Sequence, residues 1–187
     1  MEISEGQNKA AGLVVELIAD KMGNKRQVHP GTAISSAARL AGSFMFRSFD
    51  LKLSNVSPGS PVLSEQANEK GPILINILAG TLKNFDVNLD ADKMKSTSNA
   101  ASNVSFLETL ERLQDQAQII MSQNHLSLEQ MAYSCVIATS FIITECRNDL
   151  PCETGFHTAV YGFIEGSKTY PPKFGASKKK SLFKFWK

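Results

Sequence analysis

The stretch SLEQMAYSCVIATSFIITECR, residues 127–147, decides the fold class of this chain. Its middle part, residues 131–144, is apolar on nearly every side, which is typical of a helix buried in a protein core. That part is too short to cross the hydrocarbon of a bilayer as a helix. Ser127 and Gln130 have the spacing of a capping box, which begins a helix. We therefore predict a central buried helix over about residues 128–147.

Further capping residues mark the starts of other helices. Ser4 with Gln7 and Ser105 with Glu108 repeat the capping-box spacing, and apolar residues follow each pair at intervals of three and four. Thr32 is expected to cap a helix that runs to about residue 47. The sequence thus predicts a mostly α protein, an irregular bundle of five to six helices around the central helix.

Glycine and proline are expected to interrupt the regular structure. Gly23 is placed to end the first helix in the left-handed conformation. Residues 55–65, NVSPGSPVLSE, have the composition of a turn. Gly71 and Pro72 are expected to divide a short helical turn from a new helix that begins at Pro72. Residues 86–103 are polar and are predicted to form a surface loop.

A weak internal repeat suggests a small two-stranded β ribbon in addition to the helices. LAGSFMFRSFDLKL (residues 40–53) and LAGTLKNFDVNL (residues 78–89) share their first residues and a later F-D pair. Residues 49–53 and 85–89 alternate apolar and polar groups with the period of a strand, so pairing between them is an open alternative. Residues 155–165 are compatible with either a helix or a strand.

Charge divides the chain into two parts. Residues 171–187 contain six lysines and no acid, which leaves 14 basic and 18 acidic residues, a net charge of −4, in residues 1–170. We interpret residues 1–170 as a single helical domain and residues 171–187 as a basic aromatic C-terminal tail. An acidic body argues against nucleic acid as a partner, because a basic face is expected for that role.

The N-terminal sequence and the cysteines predict where the protein resides. MEISEGQNKAAG, residues 1–12, lacks the basic and apolar regions of a secretory signal. Three cysteines, an odd number, suit a reducing compartment better than a set of disulfides. We therefore predict a cytoplasmic protein, with peripheral attachment to a membrane as an alternative.

The densest group of reactive side chains lies in residues 144–157. Cys146, Cys152 and His157 are candidate metal ligands or a Cys–His nucleophilic pair, although their spacing departs from common zinc motifs. The alternative is a purely structural role, with Cys146 in the last turn of the core helix. Nucleotide-binding and hydrolase motifs are absent, which favours a protein that is not an enzyme, and no cofactor is predicted.

Two weaker candidates involve oxygen ligands and an arginine. Asp86, Asn88, Asp90 and Asp92 alternate like the opening of a calcium loop, but the later glycine and glutamate of that motif are missing. Arg39 could bind a substrate, and the preferred interpretation is a side chain that extends to solvent.

The segment SKKKSLFKFWK, residues 177–187, is predicted to dock on a surface. On a helix its four large apolar side chains cover an arc of about 160°, and most lysines lie opposite, as in a basic amphipathic helix. The docking residues are Lys178, Lys179, Lys180, Leu182, Phe183, Lys184, Phe185 and Trp186.

Three surfaces could receive this segment: another protein, the acidic body of this chain or a second copy, and an anionic membrane. We favour a non-enzymatic protein-binding or adaptor protein that uses helical surfaces and the tail. The alternatives are a small metal-dependent or cysteine-based enzyme at Cys146, Cys152 and His157, and a peripheral membrane protein anchored by the tail.

Overall fold

The computed structural model describes residues 3–175 and confirms the predicted all-helical class. That part of the chain contains seven α-helices, one 3-10 turn at Cys146–Asn148 and no β-strand. The helices are α1 (Glu5–Met22), α2 (Pro30–Ser48), α3 (Glu65–Asn84), α4 (Ala91–Ser96), α5 (Phe106–Gln123), α6 (Leu128–Glu145) and α7 (Cys152–Ser167).

Two long helices, α2 and α6, form the buried centre. Every residue of α2 from Gly31 to Phe46 is buried, as is every residue of α6 from Met131 to Ser140. The small residues in the first half of α2 allow close helix contacts, and bulky side chains such as Phe44 fill the core beside its second half. The predicted helix at 128–147 is therefore present and buried, but it shares the centre of the fold with α2.

Helices α2 and α7 are in direct backbone contact at glycines. A Cβ atom at Gly42 would lie 2.6 Å from the carbonyl oxygen of Phe163 and 2.8 Å from the Cα of Gly166. A Cβ atom at Gly166 would lie 2.6 Å from the carbonyl oxygen of Arg39. Because backbone atoms cannot move aside as a flexible side chain can, both positions require glycine.

The predicted capping boxes begin their helices as expected. In the helices that begin after Ser4 and Ser127, the serine hydroxyl accepts the backbone N–H of the third helical residue. The glutamine side chain of that third residue accepts the backbone N–H of the serine. Ser105 accepts a hydrogen bond from the N–H of Glu108 at 3.2 Å, while the Glu108 carboxylate pairs with Arg112. These bonds span three or four residues, so the sequence alone can indicate them.

The start of α2 and the end of α1 differ from the prediction. Helix α2 begins at Pro30 with His29 as its N-cap, because proline fits the first helical position without losing a hydrogen bond. Thr32 does not cap the helix; its hydroxyl accepts the N–H of Asn103 at 3.0 Å. Gly23 follows α1 with φ −101° and ψ 166°, which is an extended conformation and not the predicted left-handed one.

The predicted break at Gly71 and Pro72 is wrong. Ser64 caps α3 by accepting the N–H of Ala67 at 3.2 Å, and one helix then continues from Glu65 to Asn84. Pro72 removes one N–H from this helix. Its side chain lies on the exposed face, where water can hydrate the carbonyl that loses its partner.

The predicted β ribbon is also wrong, because residues 49–53 and 85–89 follow helices without forming strands. The F-D pair that the two copies share marks a helix C-terminus. The phenylalanine caps the helix, and the aspartate after it, Asp50 or Asp86, has a left-handed φ of 48° or 58°. Aspartate tolerates this conformation better than most residues. The repeat thus encodes two helix ends.

The polar segment and the ambiguous segment are both more helical than predicted. Residues 86–103 contain the short helix α4, which Asp90 caps, and residues 155–165 lie within α7. Residues 86–103 pack against α7, where the hydroxyl of Thr158 accepts the N–H of Ala100 at 2.8 Å.

After α7 the chain forms an extended C-terminal strap, residues 168–175. Two backbone hydrogen bonds join it to the loop before α3. The N–H of Val62 donates to the carbonyl of Lys168 at 2.7 Å, and the N–H of Gly59 donates to the carbonyl of Tyr170 at 2.8 Å. The strap crosses the boundary predicted at residue 170, and its described part packs on the helical body as far as Gly175.

We expect Gly42→Ala to lower the free energy of unfolding by about 1–3 kcal/mol, the usual cost of overpacking a core. Helix propensity alone favours alanine over glycine by about 1 kcal/mol. At an exposed helical site the same substitution would therefore raise the free energy of unfolding. Gly80→Ala is the matched control in α3, because nothing lies within 4 Å of its Cβ position. Urea denaturation measures both, and equal effects would contradict the backbone contact.

Candidate interaction surface

Helix α1 lies on the outside of α5 and α6 and is flanked by two grooves. Its inward face includes Ala10, Val14 and Ile18, which are nearly inaccessible to solvent. We call the depression between α1 and α6 the α1–α6 groove and the one between α1 and α5 the α1–α5 groove. Glu16 stands on the ridge of α1 and lines both.

The α1–α6 groove is the more apolar of the two and encloses about 300 Å³. Phe141 of α6 lies in it with 42% of its surface exposed. The ring of Phe85 packs edge-on against Phe141 at a centroid distance of 6.4 Å. The lining residues are Asn8, Ala11, Gly12, Val15, Glu16, Phe85, Ile137, Ala138 and Phe141.

Phe141 was not singled out by the sequence, because α6 is apolar on nearly every side and its periodicity does not reveal the open face. One signal was available. Phe141 lies four residues before Glu145 and therefore on the same helical stripe, and Glu145 is exposed. The exposure of Phe141 depends on how α1 packs on α6. Residues distant in sequence determine that packing.

The α1–α5 groove encloses about 320 Å³ and mixes apolar and charged groups. Leu13 is 37% exposed in this groove, whereas Leu17 and Ile120 form its buried floor. The remaining lining residues are Glu16, Asp20, Lys21, Gln116 and Gln123. Arg26, from the turn after α1, pairs with the carboxylates of both Glu16 and Asp20.

Helices α1 and α5 run antiparallel along this groove. Gly6, in the first turn of α1, lies against the carbonyl oxygen of Asn124, the residue that follows α5. The Asp20 end of α1 therefore points toward the earlier part of α5, and the Leu13 end points toward its later part.

Arg47 anchors the C-terminal strap on the body. Its Nη2 donates to the Gln114 side chain at 2.8 Å and to the carbonyl of Pro172 at 2.7 Å. Its guanidinium lies 3.9 Å from the centre of the Phe174 ring, a cation–π contact. Burial lowers the pKa of Arg47 to about 10, and the nearby Asp115 opposes that shift. The guanidinium stays charged at neutral pH.

The strap ends on the outer face of α5. Gln114 donates from Nε2 to the carbonyl of Lys173 at 3.3 Å, and the N–H of Gly175 donates to Oδ1 of Asp115 at 2.7 Å. The predicted docking residues, Lys178–Lys180, Leu182–Trp186, follow this point and lie outside the described residues 3–175.

Arg39 does not extend to solvent, which corrects the sequence interpretation. It is 6% exposed, and its Nε donates to Glu165 at 2.6 Å. Its Nη1 donates to the carbonyl of Val104 at 2.7 Å and lies 3.3 Å from the hydroxyls of Ser102 and Thr109. These contacts join α2 to α7, to the start of α5 and to the segment before it, so the arginine connects helices.

Cys146 and Cys152 lie at helix ends, and the His157 side chain contacts the backbone of α4. Cys146 follows α6 as its C-cap, Cys152 begins α7, and His157 Nε2 lies 2.9 Å from the carbonyl of Met94. Within residues 3–175, no three side chains of His, Cys, Asp or Glu are placed to hold a metal ion together. The geometry thus lends no support to the metal-site alternative.

The thiols are also poorly activated. Burial raises the pKa of all three, Cys135, Cys146 and Cys152, and nearby acids add to the shift at the last two. A raised pKa leaves less thiolate at neutral pH, and the thiolate is the nucleophile.

Two carboxylates of the calcium candidate, Asp90 and Asp92, have partners within the protein, and Asp92 pairs with Lys95 at 3.1 Å. Asp90 accepts the N–H groups of Asp92 at 2.8 Å and Lys93 at 3.1 Å, which lowers the pKa of Asp90. The N–H of Asp90 itself donates to the buried carboxylate of Glu153 at 3.1 Å. These bonds begin α4 and attach it to α7.

We expect Glu165→Ala to lower the free energy of unfolding by about 2 kcal/mol, since it removes a charged hydrogen bond from a buried guanidinium. Arg112→Ala is the matched control, because it removes an exposed pair with Glu108 that contributes about 0.5 kcal/mol. Urea denaturation measures both. Equal losses would contradict the structural role of Arg39.

We expect the three thiols to react with an aromatic disulfide reagent in a defined order. Cys135 is fully buried and should not react until the protein unfolds, while Cys146 and Cys152 should react more slowly than a free thiol at pH 8. Variants that retain a single cysteine assign the rates. A fast phase from Cys146 or Cys152 would restore the cysteine-based alternative.

Comparisons of the chain with protein-family models, with curated proteins and with solved structures yielded no match. Within residues 3–175, no single helix combines the length and the apolar composition needed to cross a membrane.

Proposed function

We propose that this chain is a non-enzymatic protein-binding protein that receives an amphipathic helix of another protein in the α1–α6 groove. The exposure of Phe141 supports this proposal: its side chain is 42% exposed beside Phe85 in an open apolar groove. Exposed aromatic side chains in a preformed depression are typical anchors of protein interfaces.

The lining of the groove defines the partner's chemistry. Two helices form its walls and Phe85 adds to its floor, a shape that suits the apolar face of one helix. Asn8 and Glu16 are the polar residues of the lining, and both lie on α1. A partner helix would therefore place its large apolar side chains against Phe141 and a lysine or arginine along the α1 side.

The test is photo-crosslinking from position 141 in cells that express the full chain. A photoreactive phenylalanine analogue replaces Phe141, and the control carries it at Tyr161, which is 55% exposed on α7. We expect a product with another protein from position 141 alone. Excess wild-type chain should compete this product away, and excess Phe141→Asp chain should not.

Three results would contradict the proposal: the same products from both positions, a product with a second copy only, or a product with lipid only. Phe141→Asp should remain folded, because the aromatic contact that it loses contributes about 1 kcal/mol. Circular dichroism and thermal unfolding of that variant provide the control for folding.

A further inference from the structure

The described part of the strap runs along α5 in the direction of the α1–α5 groove. Successive residues of a helix are rotated by about 100°. Gln114 lies on the side of α5 that faces α2, and it bonds to Lys173. Asp115 is the next residue around α5, and it bonds to Gly175. Gln116, the next step in the same direction, lines the α1–α5 groove. The chain therefore follows the surface of α5 from Gln114 to Asp115, in the direction of this groove.

Residues 176–187 are long enough to fill the groove. From Asp115 to Gln123, the furthest lining residue on α5, the distance along the helix is about 12 Å. The 12 residues after Gly175 would extend over about 18 Å as a helix and about 40 Å when fully extended. Either conformation covers the groove, so length does not limit the docking.

The order of groups along the segment matches the order along the groove. After Gly175 come first the lysines 178–180 and then the apolar residues 182–186. In the groove the carboxylate of Asp20 lies toward the strap, because α1 and α5 are antiparallel, and the exposed Leu13 lies further away. A segment placed along the groove in this direction would bring its lysines to the acids at the near end and its apolar side chains to Leu13 beyond them.

Apolar contact would contribute more than charge to this docking. The near end carries the acids Glu16, Asp20 and Asp115 against the bases Lys21, Arg26 and Arg47, so these charges balance. Charge therefore adds little net attraction for the lysines at physiological ionic strength. Leu182, Phe183 and Trp186 would supply large apolar surfaces to the groove.

We propose that residues 176–187 occupy the α1–α5 groove of their own chain. Attachment at Gly175 gives the segment an effective concentration in the millimolar range, so a weak contact is sufficient to hold it. A partner or a surface that binds the same apolar side chains must first displace them from the groove. This inference concerns a different groove from the one in the proposed function and does not depend on it.

The single tryptophan of the chain, Trp186, lies in this segment and makes the test direct. Acrylamide quenching of its fluorescence is measured for the full chain and for a free peptide of residues 176–187. We expect quenching of the full chain to be several-fold weaker. Leu13→Asp should raise it to the level of the peptide, Gln116→Lys should raise it part of the way, and Ile164→Asp, at a site 49% exposed on α7, should leave it unchanged.

Gln116 is exposed, so Gln116→Lys tests the groove without disturbing the core even where Leu13→Asp unfolds the protein. Equal quenching of the chain and the peptide would overturn the proposal, as would protection that Gln116→Lys leaves unchanged. Protection that grows with protein concentration would assign the segment to a second copy, and protection that requires added vesicles of anionic phospholipid would assign it to a membrane. Either result also overturns docking within the chain.

Discussion

The backbone contact between α2 and α7 is the constraint on which the rest of the structure depends. Gly42 and Gly166 allow the two helices to touch without intervening side chains. At that separation Glu165 reaches Arg39, and the guanidinium is left with donors that reach Val104 and Thr109 at the start of α5. One close contact thus sets the positions of three helices, because a buried cation must find all its partners.

The same contact determines where the chain leaves the body. The strap follows α7 directly, and α2 carries a second arginine, Arg47, two turns after Arg39. Arg39 is enclosed and joins helices, whereas Arg47 lies at the edge of the core and holds Pro172 and Phe174. Gly175 therefore lies on α5, where its N–H bonds to Asp115.

Helix α1 separates two surfaces of different chemistry. The α1–α6 groove is apolar and centred on Phe141, so it suits the apolar face of a partner helix. The α1–α5 groove has acids toward the strap and Leu13 beyond, so it suits the basic and aromatic residues that follow Gly175. Glu16 borders both grooves, so the two surfaces share one charged residue.

The sequence by itself determined what depends on near neighbours. The caps at Ser4 and Ser127, the buried α6 and the separation of a basic aromatic segment from an acidic body were all readable, because each rests on bonds or patterns within a few residues. The F-D pairs were visible too, but their alternation suggested strands. Only the bonds back to the preceding helix show that Asp50 and Asp86 end helices.

Tertiary structure alone decided the features that join distant parts of the chain. Arg39 is buried because Glu165 lies 126 residues away in sequence and beside it in space. Phe141 is exposed because α1 covers only part of α6, and α3 continues through Pro72 because that residue faces solvent. The contact of Gly175 with Asp115 on α5 belongs to the same group. The basic segment can be named from composition, whereas the α1–α5 groove exists only once α1 and α5 have packed together.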